Sequence, residues 1–259
     1  MSAFHPAYSL SGFVVGMLVG FTGVGGGSLM TPLLVLLFGI HPATAVGTDL
    51  IYAAVTKTVG TAVHGWSGSI DWRIVRRLAM GSVPATALTL VVLYQFGITG
   101  ERSSVLISNL LGMALILTAG VLIFRRHILA WVARHAPERN AKQTMRLTIA
   151  TGAALGVLVS TSSVGAGALG VTALLLLYPN LPTIRVVGSD IAHAVPLTLV
   201  AGLGHMVIGS VDFPLLGSLL TGSIPGIMIG SFAAGRVPDV ALKPVLAGAL
   251  ILAGAKLIG

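Results

Sequence analysis

Apolar residues in this chain come in long unbroken runs, not in alternation or as a stripe on one helix face. No Lys, Arg, Asp or Glu interrupts residues 1–48, 78–100, 103–124, 147–184, 191–211, 213–235 or 244–255, and 43–64 is interrupted only by Asp49 and Lys57. A charge near the centre of a bilayer costs about 2.5 kcal/mol or more on insertion scales, so such runs predict membrane-crossing helices. About 20 residues cross the hydrocarbon core. That length fits helices over 43–64, 78–100, 103–124, 191–211 and 213–235, and 240–258 makes another if its ends snorkel. The runs beginning near Tyr8 and Arg146 are too long. As continuous helix each would reach roughly 50 Å against a core of about 30 Å, so both must bend or break.

Each long run contains a place where a break is cheap: Gly20-Phe21-Thr22-Gly23-Val24-Gly25-Gly26-Gly27 in the first and Ser160-Thr161-Ser162-Ser163-Val164-Gly165-Ala166-Gly167 in the second. Glycine disfavours a helix interior by about 1 kcal/mol per residue. Small residues also let membrane helices pack closely, but three adjacent glycines exceed what a packing face needs. Pro32, Pro84, Pro196 and Pro225 are expected to kink helices.

Composition agrees with this pattern. The 259 residues are 55% hydrophobic and 8% charged, with no cysteine, whereas a soluble domain carries about 25% charge. This excludes a soluble enzyme, a disordered tail and a disulfide scaffold. The formal net charge of +8 suggests nucleic acid, but the basic residues fall between apolar runs and form no stripe, so no nucleic-acid partner is expected. The lipid bilayer is. The first apolar run has no preceding Lys or Arg and reads as a membrane segment, not as a cleavable signal. Residues 125–146, with Arg125, Arg126, Arg134, Arg139, Lys142 and Arg146, read as a basic cytoplasmic loop between a first membrane repeat, 1–124, and a second, 147–259.

The duplication shows when the chain is shifted by about 140 residues. Val24-Gly25-Gly26-Gly27 then meets Val164-Gly165-Ala166-Gly167, and after one inserted residue Val46-Gly47-Thr48-Asp49 meets Val187-Gly188-Ser189-Asp190. In the same register His64 meets His205, Gly68-Ser69-Ile70-Asp71 meets Gly209-Ser210-Val211-Asp212, and Gly81-Ser82-Val83-Pro84 meets Gly222-Ser223-Ile224-Pro225. Internal repeats are a mark of secondary transporters. The expected fold is an all-α polytopic membrane protein of two tandem repeats, each a Gly-broken, re-entrant segment plus three transmembrane helices. Re-entrant hairpins place more Lys and Arg on the side of the basic loop than single crossings do, and they make the repeats inverted.

Re-entrant hairpins expose helix N-termini and unpaired backbone N–H groups, which attract anions. Candidate substrate contacts are Gly25, Gly26, Gly27, Gly165 and Gly167, with the hydroxyls of Thr22, Ser28, Thr161, Ser162 and Ser163. Lys57, the cation deepest in an apolar run, either snorkels to an interface or faces a polar cavity and the anion. Asp49 and Asp190 either cap helices in Gly-Thr-Asp and Gly-Ser-Asp or couple transport to protons. His64 and His205 end the same helices and serve the dipole or proton transfer; His193, in register with Tyr52, is a weaker candidate. No Walker A pattern follows the glycines, which argues against an ATPase, and no Gly-x-Ser-x-Gly elbow supports an intramembrane hydrolase. No enzymatic activity, cofactor or bound metal is expected.

The run Gly20 to Leu29 followed by Pro32, then Ala45-Val46-Gly47-Thr48, then Gly65-Trp66-Ser67-Gly68-Ser69-Ile70-Asp71, with the looser second copy, resembles the TauE/SafE sulfite exporter family, also called TSUP. The resemblance covers essentially the whole chain. It implies ATP-independent transport of sulfite, thiosulfate, sulfoacetate or other organosulfonates across the cytoplasmic membrane, in either direction. The second copy departs from the first with Ala166 for Gly26 and Gly170-Val171-Thr172 for Met30-Thr31-Pro32, which makes the two hairpins chemically unequal. An anion channel is the nearest alternative. A divalent metal transporter using Asp49, Asp190, His64 and His205 is another, disfavoured by the missing thiols. A monomer-competent bundle is expected, with a homodimer left open.

Overall fold

A computed structural model describes residues 6–22, 27–95, 101–135, 140–208, 211–233 and 239–258. Among these every regular element is helical. The first half contains α1 (Pro6–Thr22), α2 (Gly27–Leu36), α3 (Pro42–Trp66), α4 (Trp72–Gln95) and α5 (Glu101–His135). The second contains α6 (Ala141–Ser162), α7 (Ala168–Leu177), α8 (Thr183–Val207), α9 (Phe213–Phe232) and α10 (Asp239–Ile258). Five of them, α4, α5, α6, α8 and α9, are long and apolar enough to cross a membrane. Large apolar side chains stand exposed around the outside, among them Leu88 and Val91 on α4 and Met113, Leu117 and Phe124 on α5. So broad an apolar surface is stable facing lipid, not water. The chain is a multi-pass membrane protein.

Both long runs break at the small-residue clusters. The second break is fully described: α6 ends on Ser163 in the left-handed conformation, φ 58°, with its N–H bonded to Val159 O at 2.7 Å. Gly165 and Gly167 follow at φ 122° and 125°, angles that a side chain strains to reach. The positions in register with these three are Gly23, Gly25 and Gly27, all glycine. Pro32, Pro84, Pro196 and Pro225 all lie inside helices.

Close contacts between helices fix their directions. Gly12, Gly16 and Gly20 on α1 meet Leu219, Ser223 and Ile227 on α9 in rising order, and Gly152 and Gly156 on α6 meet Leu78 and Ser82 on α4. Both pairs are parallel and almost free of side chains at the seam, the close backbone approach that small residues every fourth position permit. Thr48 Oγ1 on α3 accepts from Asp212 N at 3.0 Å, and the register counterpart Ser189 Oγ on α8 accepts from Asp71 N at 2.8 Å. These bonds set α9 parallel to α3, and α4 parallel to α8. By contrast α3 and α8 run antiparallel, with Gly60 against Ile191 and Gly202 against Ile51. Helices α5 and α10 do the same, Gly112 against Ile258 and Leu115 against Gly254. Because α1 and α3 point the same way, the short α2 between them runs back. The same holds for α7 between α6 and α8. Each half therefore opens with a helical hairpin whose short arm, 10 residues in both cases, measures about 15 Å.

The basic stretch expected as a loop over 125–146 is largely helical: α5 continues to His135 and α6 starts at Ala141. Arg, Lys and Gln are good helix formers, so a helix leaving an apolar layer has no reason to stop there. Asn140 then starts α6 with a capping box, accepting from Gln143 N at 2.8 Å while its own N–H donates to Gln143 Oε1 at 3.0 Å.

Candidate functional site

The antiparallel seam of α3 and α8 carries the buried ionisable side chains. Register along the seam puts Asp49 level with the His205 end of α8 and Asp190 level with the His64 end of α3, with Lys57 between them. All five are buried, Asp49 and Asp190 completely, and Lys57 is only 2% exposed. Lys57 thus faces the bundle interior and does not snorkel to an interface. It interacts electrostatically with both Asp190 and Asp49. Among the described residues no Lys57 ammonium contact to a carboxylate falls within the 4.0 Å of an ion pair.

Neither aspartate caps a helix. The N-cap positions of α3 and α8 are His41 and Pro182, because Pro42 and Pro182 start these helices about two turns earlier than the Gly-Thr-Asp and Gly-Ser-Asp triplets suggest. The displacement carries both carboxyl groups into the core.

Their surroundings differ. Asp49 Oδ2 accepts from Thr31 Oγ1 on α2 and from Ser163 Oγ at the α6–α7 break, the latter at 2.8 Å. One carboxylate oxygen therefore joins the hairpins of both halves. Asp190 packs against α7 at Gly170, where an added Cβ would lie 2.0 Å from Asp190 Oδ1, and neither of its oxygens has a hydrogen-bond partner.

The predicted hairpin hydroxyls are mostly occupied. Thr161 Oγ1 donates to Val157 O and Leu158 O at 3.0 Å each, and Ser162 Oγ donates to Leu158 O at 2.7 Å. Ser28 is buried in the first turn of α2. Gly27 opens α2, Gly165 and Gly167 lie just before the start of α7, while Gly25, Gly26 and the side chain of Thr22 lie outside the described residues. Among the described candidates, the backbone around Gly165 and Gly167 and the Lys57 ammonium are the donors left for an anion.

Each of the three core histidines is bonded through one ring nitrogen. His205 Nε2 donates to Ser160 O, 2.9 Å, at the end of α6. His64 Nδ1 donates to Ser69 Oγ at 2.9 Å, since that hydroxyl already gives its proton to His64 O. His64 Nε2 and His205 Nδ1 remain buried without partners. His193 lies one turn beyond Asp190 on the same helix and meets Ser82 Oγ through Nε2 at 2.9 Å.

Several polar residues of this core were not among the candidates. Thr56 on α3 hydrogen-bonds Ser223 on α9, and Tyr52 donates to Gly12 O at 3.3 Å. For Ser223 the signal was the repeat itself: Ser82 and Ser223 occupy matched positions, as do Thr48 and Ser189, and a polar residue kept in both halves of an apolar chain marks a structural position; Thr56, in register with Leu197, carried no such signal.

Comparison with known proteins agrees with this architecture. Residues 8–257 match the family described as Sulfite exporter TauE/SafE. A Bacillus subtilis protein named a probable membrane transporter protein, YjnA, is 39% identical over 250 residues, covering 96% of this chain and 98% of the relative. A second from the same organism, YdhB, also named a probable membrane transporter protein, is 30% identical over 204 residues, with 79% and 80% covered. A third so named, MJ0441 from Methanocaldococcus jannaschii, is 26% identical over 205 residues, with 76% and 70% covered. No solved structure matches the chain. The broken helices, the repeat and the match along nearly its whole length lead to one assignment: the chain belongs to the sulfite exporter TauE/SafE family.

Proposed function

We propose that this protein is a secondary transporter of the cytoplasmic membrane that moves a small sulfur-containing anion such as sulfite, thiosulfate, sulfoacetate or another organosulfonate. The observation that carries the reading is Lys57, 2% exposed on α3 where the two halves meet. A cation held in the interior of a membrane bundle is costly, and an anion that binds there offsets the cost. The breaks before α2 and α7 add helix N-termini on the same core, and these favour negative charge. The antiparallel seams α3–α8 and α5–α10 support inverted repeats, and the short arms of about 15 Å support hairpins that enter and leave on one side. Two inverted halves meeting at one polar seam suit alternating access around a fixed site.

The test is uptake into proteoliposomes against sulfite, thiosulfate, sulfoacetate, sulfate and nickel. Transport of one or more sulfur anions is expected, with none of nickel, since among the described residues no three His, Cys, Asp or Glu side chains converge on a metal site. Lys57→Met should weaken anion binding by about 1.5 kcal/mol or more, the scale of a charge-assisted hydrogen bond, in protein that inserts normally. Wild-type transport by well-folded Lys57→Met would remove Lys57 from the site.

A further inference from the structure

The two seam aspartates are related by the repeat but not by their surroundings. Asp49 takes hydroxyl bonds from Thr31 and Ser163. In register with Thr31 stands Val171, and in register with Ser163 stands Gly23, neither of which has a hydroxyl. The next hydroxyl on α7, that of Thr172, donates to Ala168 O at 2.7 Å. Both donors are missing from the positions that correspond around Asp190, one in each half. Asp190 is left completely buried with both oxygens unpartnered, and its strongest charged neighbour is Lys57.

The groups around Asp190 narrow its chemistry. Helix α3 brings Lys57, with His64 level with Asp190 and Asp49 farther along; α8 itself brings His193 one turn on; α7 presents Gly170 and α4 presents Ser82, which is bonded to His193. Among the described residues Lys57 is thus the group whose charge offsets that of an ionised Asp190. A buried carboxylate without hydrogen bonds persists only beside such a cation, and it is otherwise neutral. A substrate anion that takes the ammonium for itself removes that support. Asp190 then binds one proton from water and becomes a neutral carboxylic acid. When the anion leaves, the proton leaves too.

We propose that Asp190, and not its repeat counterpart Asp49, binds the proton that accompanies the transported anion, and that the anion and the Asp190 carboxylate alternate as partners of Lys57. The proposal rests on the anion-transport reading for its substrate but not for its proton site.

Infrared difference spectroscopy of the full-length protein in lipid separates the two. A carboxylic-acid C=O band should titrate with pH, vanish in Asp190→Asn and persist in Asp49→Asn. In Lys57→Met the band should persist to higher pH than in the wild type. Thiosulfate and sulfoacetate, which stay ionised over the range used, should shift the wild-type titration midpoint upward in pH by at least half a unit and leave that of Lys57→Met unchanged. Should Asp190→Asn fail to fold, site-selective assignment of the same band by isotope-labelled aspartate in wild-type protein, with Asp49→Asn as comparison, decides the point. A titrating band that belongs to Asp49, or a midpoint indifferent to Lys57→Met, overturns the proposal. A midpoint that shifts in Lys57→Met but not with either anion, together with no uptake of any sulfur anion, refutes the transport reading and upholds the proton site.

Discussion

Gly222→Ala adds one methyl group at the tightest glycine contact among the described residues. A Cβ at Gly222 would lie 1.7 Å from Ser9 O on α1, whereas one at Gly217, five residues earlier along the same α9, would have no neighbour within 4 Å. Carbon to oxygen contacts below 3.0 Å essentially do not occur, so α1 and α9 must part by more than 1 Å. Separation on that scale breaks the bond from Ser9 Oγ to Ser218 O, 2.8 Å, and its contact with Thr221 Oγ1. It also loosens the backbone contacts at Gly12, Gly16, Gly226 and Gly230. Overpacking costs about 1–3 kcal/mol, and each lost hydrogen bond within a membrane bundle about 0.6 kcal/mol. Gly217→Ala loses nothing and gains about 0.5 kcal/mol or more in helix propensity. The variants should therefore differ in unfolding free energy by about 2–4 kcal/mol, read from reversible SDS titration in mixed micelles by tryptophan fluorescence. The repeat-related Gly81→Ala, 1.9 Å from Ile149 O on α6, should behave like Gly222→Ala. A Gly222→Ala protein as stable as Gly217→Ala would refute the close seam.

The break before α7 gives a second substitution test: Gly165→Val, at φ 122°, should abolish anion transport, while Gly120→Val, in a helix with open space around it, should keep most of it, measured by uptake beside a melting curve for each variant. Topology is checked with single cysteines, which the native chain lacks. With the hairpins re-entrant and the basic segment cytoplasmic, a cysteine at Ser2 should label from outside and one at Pro179 from inside, and the reverse pair would restore single crossings.

What the sequence made legible was whatever lies close along the chain or repeats at a fixed offset. The second cluster marked its break because a φ near 120° leaves few alternatives to glycine, and the limits of α9 fall close to those of its charge-free run, whereas α5 and α8 extend well beyond theirs. The partners of Asp49 were out of reach. Thr31 is a turn away across a hairpin, but Ser163 comes from the other half, and only the folded bundle brings it to the same carboxylate. The depth of Asp49 and Asp190 was misjudged because a Gly-Thr-Asp triplet looks like a cap until Pro42 is seen to begin the helix earlier. The packing rows Gly12, Gly16, Gly20 and Gly222, Gly226, Gly230 were visible as small residues every fourth position, yet that spacing does not say which helix answers which.

The polar composition of α3 is explained by its burial. Helix α3, with Asp49, Lys57 and His64, is 25 residues long and still falls outside the set that composition alone marks as membrane-crossing. Its most buried stretch nevertheless runs from Ala45 through Lys57. In α4, which composition does mark, only 22% of the apolar window is buried, against 72% in α8. A helix that faces lipid must be apolar on that side, since polar groups find no partner there. One enclosed by other helices is free of this demand and can hold charge. Helix α3, with its buried Asp49 and Lys57, thus belongs at the centre, and it meets α8 and α9 there through Gly60 against Ile191 and Thr56 against Ser223. Polar residues that weaken α3 as a free membrane span are tolerated because the second half surrounds them, so the seam can form only after both halves have inserted and packed.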